Sequence, residues 1–222
     1  MHGTVPSTSV ALAGVVAVAV LLSQFAMLRV LSIEAVVRVY AVQSFAVCVF
    51  TAAVGFLAGN GDLYVLAALT LATKVILIPL IIGAIVRRLG VEDRIRASIP
   101  VPQSFLIGAG VAILGFVAAN RVHDGVLGTP SDGLGAGLAV ILMGFFLMVA
   151  RPNAVAQLIG FLALENGVFV ASLSLSPGLP VLVAVLLLLD VLVPAVAFVV
   201  VIRLLAVRVR SAHTDALTEL RG

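Results

Sequence analysis

Three ionisable side chains interrupt long apolar runs: Lys74 in LTLATKVILIP, Glu165 in QLIGFLALENGVF and Asp190 in LLLLDVLVPAVAF. Their spacing to arginines is nearly the same. Lys74 precedes Arg87 by 13 residues, Glu165 follows Arg151 by 14, and Asp190 precedes Arg203 by 13. If those arginines mark one membrane face, a helical rise of ~1.5 Å per residue puts all three groups roughly 20 Å from it. The hydrocarbon core of a bilayer is ~30 Å thick, so that depth is about its middle. A charge there costs on the order of 2.5–3.5 kcal/mol on insertion scales. The usual return on such a cost is movement of a proton or another charge.

Each group has neighbours that bear on that chemistry. Glu165 is followed by Asn166 and Gly167, and Gly160 lies seven residues before Gly167, near the same face, where a helix or water can approach the backbone. Gln157, two turns earlier, is expected to extend a hydrogen-bonded chain from Glu165 toward the arginine side. Asp190 precedes Pro194 by four residues, so its own carbonyl loses a helical partner at the level of its carboxylate. Freed backbone groups of this kind build ion sites inside membranes. Lys74 shares a face with Thr70, and Pro79 frees the carbonyl of Val75. For all three the competing reading is structural: a carboxylate bonding a neighbouring helix, a proline kink beside an inert Asp, and a lysine serving as permanent counter-ion. On the second apolar run, Ser44, Cys48 and Thr51 form a polar stripe that reads more readily as helix packing than as a conduit. Arg38, below Gln43 on that run, either snorkels to the interface or guards an entrance.

The elements that must hold these residues follow from composition. The chain of 222 residues is 63% hydrophobic and 10% charged, with a mean hydropathy of +1.30. That leaves too little polar surface for a soluble domain. The expected fold is an all-α integral membrane protein with about seven spans, at 8–28, 35–58, 63–86, 103–119, 133–150, 153–174 and 180–206. The first span has no arginine or lysine before it and no convincing cleavage site, so it is expected to be a retained helix. Eleven of the twelve arginines fall on the side shared by the first, third and fifth connections and the C-terminus, and only Arg121 on the other. By the positive-inside rule, the N-terminus is expected outside and the C-terminus in the cytoplasm of a cell inner or plasma membrane.

Within this frame an internal echo appears. LYVLAALTLATKVILIP and LPVLVAVLLLLDVLVP each place an ionisable group eleven residues after a leading leucine, with a proline soon after. The echo predicts two parallel three-helix units: residues 1–102 with their cytoplasmic loop, and 133–222 with the tail, joined by a linking helix and outer loop at 103–132. The loop from Arg87 to Gln103 is expected either to be solvated or to dock on a peripheral subunit or anionic headgroups. GTPSDGLGAG at 128–137 is expected to be a loop entering the fifth span.

Several chemistries are excluded on residue grounds. Cys48 is the single cysteine, and His2, His123 and His213 fall in tail or loops, so the chain builds no disulfide, iron–sulfur, zinc or bis-histidine haem site of its own. There is no phosphate-binding loop, and the basic balance reflects topology and not a nucleic-acid partner. No cofactor or metal is expected in this chain.

RPNAVAQLIGFLALENGVF, together with LTLATKVILIPLI, LLDVLVP and the ending DALTELRG, resembles the hydrogenase-4 component E family over nearly the whole length. The last three helices further resemble the K-type small membrane subunit of complex I and of multisubunit cation/proton antiporters. In the K-type pattern Asp190 matches the second of two proton-carrying carboxylates. The first falls on Leu162, and Glu165 stands three residues, about one turn, beyond it. The resemblance implies a non-catalytic membrane subunit with a central Lys74–Glu165–Asp190 relay. It implies antiporter-like membrane subunits and a peripheral hydrogenase or formate-oxidising arm as partners, with lipids around them and the catalytic metals held by the partners. An antiporter subunit without a redox arm, and a scaffold whose charges only lock helices, are the alternatives.

Overall fold

The computed structural model describes residues 7–89, 94–122, 132–175, 184–186, 188–190 and 192. The protein is an all-α membrane protein. Helix α1 spans Ser7–Arg29, α2 Ile33–Ala58, α3 Gly61–Thr70, α4 Ile78–Leu89, α5 Val101–Val122, α6 Asp132–Ala150 and α7 Ala154–Leu175; a π-helical stretch, Leu71–Leu77, joins α3 to α4. Five of the resulting rods are long and apolar enough to cross a membrane, and an apolar helix at Gly14–Arg29 precedes them. Six expected spans thus coincide with helices to within a few residues. The seventh, with Pro194 and Arg203, lies largely outside the described residues, as does the outer loop after Val122.

Local chemistry sets the helix ends. Ser32 caps α2 by accepting the Ala35 amide at 3.3 Å. Gly59 adopts φ +63° after α2, a left-handed conformation that glycine enters without steric cost. Asn60 then caps α3 by accepting from the Asp62 amide at 3.0 Å.

At the end where α1, α4 and α6 finish, the connections bind each other. The Ile95 amide donates to Leu31 O at 2.7 Å and the Ser98 amide to Ala150 O at 3.1 Å. Arg151 is 1% exposed, and its Nη2 donates to the Leu28 carbonyl at the last turn of α1. Burial lowers its pKa from the ordinary arginine value. Arg29, Arg87, Arg94, Arg96 and Arg151 therefore share one end of the bundle, and Arg121 ends α5 at the other.

Two expectations need correction. The loop after α4 is not simply a solvated strip: Ile95 is buried in the core, and this segment's amides satisfy two carbonyls, Leu31 O after α1 and Ala150 O at the end of α6. The glycine-rich stretch is helix from Asp132 onward. A Cβ on Gly137 would lie 2.6 Å from the Ala171 Cβ of α7, and one on Gly167 would lie 2.8 Å from the Gly137 carbonyl. The glycines let α6 sit against α7 almost backbone to backbone.

Candidate functional site

The core is divided by level, and the division locates the site. One apolar cluster, toward the arginine end, includes Met27, Leu28, Val36, Val37, Tyr40, Ile78, Ile82, Ile159, Leu162 and Ala163. A second, toward the other end, includes Val16, Val20, Val47, Phe50, Val54, Leu63, Leu66, Phe169 and Leu173. On α1, α2, the α3–π segment and α7, which contribute to both, buried polar residues fall in the gap: Ser23 and Gln24, Gln43 and Ser44, Thr70 and Lys74, Glu165 and Asn166; α6, which gives Ala139 and Met143 to one cluster and Val140 to the other, is apolar there. Among the described residues, these four segments share a polar layer between two oily ones. The matched depths inferred from arginine spacing have a structural counterpart in that layer.

Within it the three ionisable groups meet. Lys74 Nζ lies 3.0 Å from Glu165 Oε1 and 3.2 Å from Asp190 Oδ1. Lys74 and Asp190 are 0% exposed and Glu165 is 3% exposed. The ammonium also stands 4.2 Å from the centre of the Phe169 ring, over its face, a cation–π contact that gains strength where water is absent. Thr70 Oγ1 donates to the other Asp190 oxygen, Oδ2, at 3.2 Å. One cation thus faces two carboxylates. Fully ionised, the triad carries a net charge of −1, and a single proton makes it neutral; burial favours the neutral state.

The layer continues sideways through neutral groups. Asn166 Nδ2 donates to Gln43 Oε1 at 3.2 Å and to Ser44 Oγ at 2.9 Å. Gln43 Nε2 donates to the Val20 carbonyl at 3.3 Å, and Gln24 Nε2 to the Val140 carbonyl at 3.4 Å. Tyr40 is buried beside Ser44, within the field of Glu165 and Asp190. Glu165 Oε2 and Asn166 Oδ1 have no hydrogen-bond partner among the described residues. The lone pairs left over are where a proton or a water would bind.

The backbone explains how Lys74 is aimed. Pro79 offers no amide, and its ring crowds the carbonyl four residues back. The preceding turn widens, and the Ile78 amide reaches back five residues to Thr73 O. Such π segments rotate the side chains around them out of α register and recur at functional sites. Proline was legible as a source of freed carbonyls; the wide turn was not.

Other residues singled out in the sequence have distinct fates. Gln157 is exposed and does not extend a chain from Glu165: eight residues advance about 800°, some 80° past two full turns. Arg38 is exposed, 3.9 Å from Glu34, and does not reach the polar layer. Cys48 donates to the Ala67 carbonyl at 3.2 Å and Thr51 to Val47 O at 2.9 Å, so those members of the stripe serve packing. Ser44 instead joins the network. Pro194 lies outside the described residues. Phe169 escaped notice, although it stands four residues from Glu165 and hence on its face. Ser23 and Gln24 also escaped, although two polar residues within an apolar helix were a visible signal. Among the described residues no three acidic, His or Cys side chains cluster as metal ligands.

The chain is 30% identical over 194 residues to the uncharacterized protein Rv0085 of Mycobacterium tuberculosis, covering 85% of this chain and 86% of that protein. It belongs to the same family as that protein. No protein-family profile matches it, and no solved structure does.

Proposed function

We propose that this chain is a non-catalytic membrane subunit of an energy-converting, complex I-related oxidoreductase of the hydrogenase or formate hydrogenlyase type, in which Lys74, Glu165 and Asp190 take part in proton (or sodium) translocation. The observation that carries the reading is one buried lysine shared by two carboxylates, a group of charges that becomes neutral on taking up one cation. The placement in a redox complex rests on the sequence resemblance. The partners are then antiporter-like membrane subunits and a peripheral hydrogenase or formate-oxidising arm, which hold the metals. The chain sits in the cell membrane with its N-terminus outside and its C-terminus in the cytoplasm, where its arginines concentrate.

The test uses the complex purified with all its subunits and reconstituted in vesicles. Glu165→Gln and Asp190→Asn keep shape and remove titratable charge. Each is expected to reduce proton uptake at least tenfold per assembled complex, with subunit composition unchanged. Subunit identification from the same preparation separates a redox complex from an antiporter without a redox arm.

A second reading has an observation of its own. Both ion pairs are short and enclosed, as in a lock that fixes helix register. Under that reading the neutral variants lose assembly while the complexes that remain pump normally.

A further inference from the structure

Away from the polar layer, at the arginine end, α2 and α4 diverge around a groove of about 200 Å³. Its floor is apolar: Ile33, Val37, Pro79, Ile82, Gly83 and Val86. Ile33, Val37, Ile82 and Val86 are buried and belong to the cluster toward the arginine end, so the floor is fixed by core packing. Its rim is charged. Arg38 and Arg87 line it together with Glu34, and Arg38 and Arg87 are both exposed.

The chain beyond α4 brings the backbone of a third arginine close to one end of the groove. Arg94 forms an isolated bridge with Ser32, the residue immediately before Ile33, and its side chain is exposed. The bridge is held by the Ile95 amide on Leu31 O at 2.7 Å. At Gly83 the floor is open: a Cβ there meets nothing within 4 Å except Arg87 Nη2 at 3.9 Å. The missing side chain makes the slot, and the guanidinium overhangs it. The rim therefore carries two guanidinium groups and one carboxylate, which lies 3.9 Å from Arg38, with Arg94 anchored beside it, above an apolar cleft between spanning helices at their interfacial end.

We infer that this groove binds one anionic phospholipid, with the phosphate against Arg38, Arg87 and Arg94 and an acyl chain along Pro79, Ile82 and Gly83. A phosphodiester meets guanidinium in a bidentate, charge-assisted geometry, and basic clefts between spanning helices at the inner interface take such headgroups. An aqueous anion would leave the apolar floor unused, and a zwitterionic lipid would bring a cation against the same arginines. The inference is independent of the proposed translocation role.

The experiment is native mass spectrometry of the full chain, purified in detergent and supplied with phosphatidylglycerol or phosphatidylcholine. One phosphatidylglycerol is expected to stay bound where phosphatidylcholine does not. Each arginine is expected to contribute roughly fivefold to retention, so R38Q/R87Q retains about 25-fold less. Gly83→Leu changes no charge and fills the open slot; it is expected to abolish retention with the melting temperature unchanged. Equal retention of the two lipids overturns the inference, and that arm needs no variant. Unchanged retention in Gly83→Leu, or displacement of the lipid by millimolar inorganic phosphate, overturns it as well.

Discussion

Lys74 is the residue on which the buried site's charge balance turns. It neutralises one carboxylate and shares itself with a second, and Phe169 supplies a further face to its ammonium. Removing one partner of a buried ion pair leaves the other uncompensated, at a cost of about 3–5 kcal/mol. Lys74→Met is therefore expected to lower thermal stability of the purified protein sharply. The triple variant K74M/E165Q/D190N, which removes every charge at once, is expected to recover most of the loss. Equal melting temperatures for the wild type and Lys74→Met would mean that the lysine is not the group holding the carboxylates.

At the scale of elements, two devices position the site. The first is the π turn at Leu71–Leu77, which aims Lys74 while Thr70 still reaches Asp190. The second is the close seating of α6 on α7, which fixes the helix carrying Glu165 and Asn166. A Cβ on Gly144 would lie 2.8 Å from the Gly160 carbonyl and 3.0 Å from Leu164 Cα, whereas one on Gly110 of α5 would meet nothing within 4 Å. Gly144→Leu is accordingly expected to destabilise by about 1–3 kcal/mol and to weaken the polar layer with it. Gly110→Leu serves as the control and is expected to leave the protein near wild type. Thermal unfolding of the two variants side by side decides the matter; comparable losses in both would remove α6–α7 contact as the cause.

For the described residues the governing pattern is a polar layer between two apolar ones, with the arginines other than Arg121 gathered at one end. A buried layer crossing several helices at one level presents polar groups to one another while the outer face stays oily. The asymmetry of the ends yields a topology prediction. In right-side-out vesicles a cysteine placed at Arg121 is expected to react with an impermeant maleimide, and one at Arg38 only after the membrane is opened. Native Cys48 is buried and should contribute little background. The reverse labelling pattern would invert the proposed orientation and place the lipid groove at the outer interface.

Much of this was written along the chain. Apolar run lengths determined six of the helices, because span length follows from bilayer thickness. Arginine spacing determined that Lys74 and Glu165 share a depth, because rise per residue in a helix is constant. Depth is one coordinate of three, however. Which side chains meet within a layer depends on how helices are rotated and who neighbours whom. Gln157 shows this most simply: it has a plausible spacing, yet it is turned out of the bundle by some 80°. Asn166 shows the converse, bonding Gln43 and Ser44 from 122 residues away and more. The closure of Lys74 on both carboxylates, the π turn that aims it and the groove beneath the arginines were decided only by tertiary packing, where glycine contacts and a proline's missing amide set rotations that periodicity along one chain does not contain.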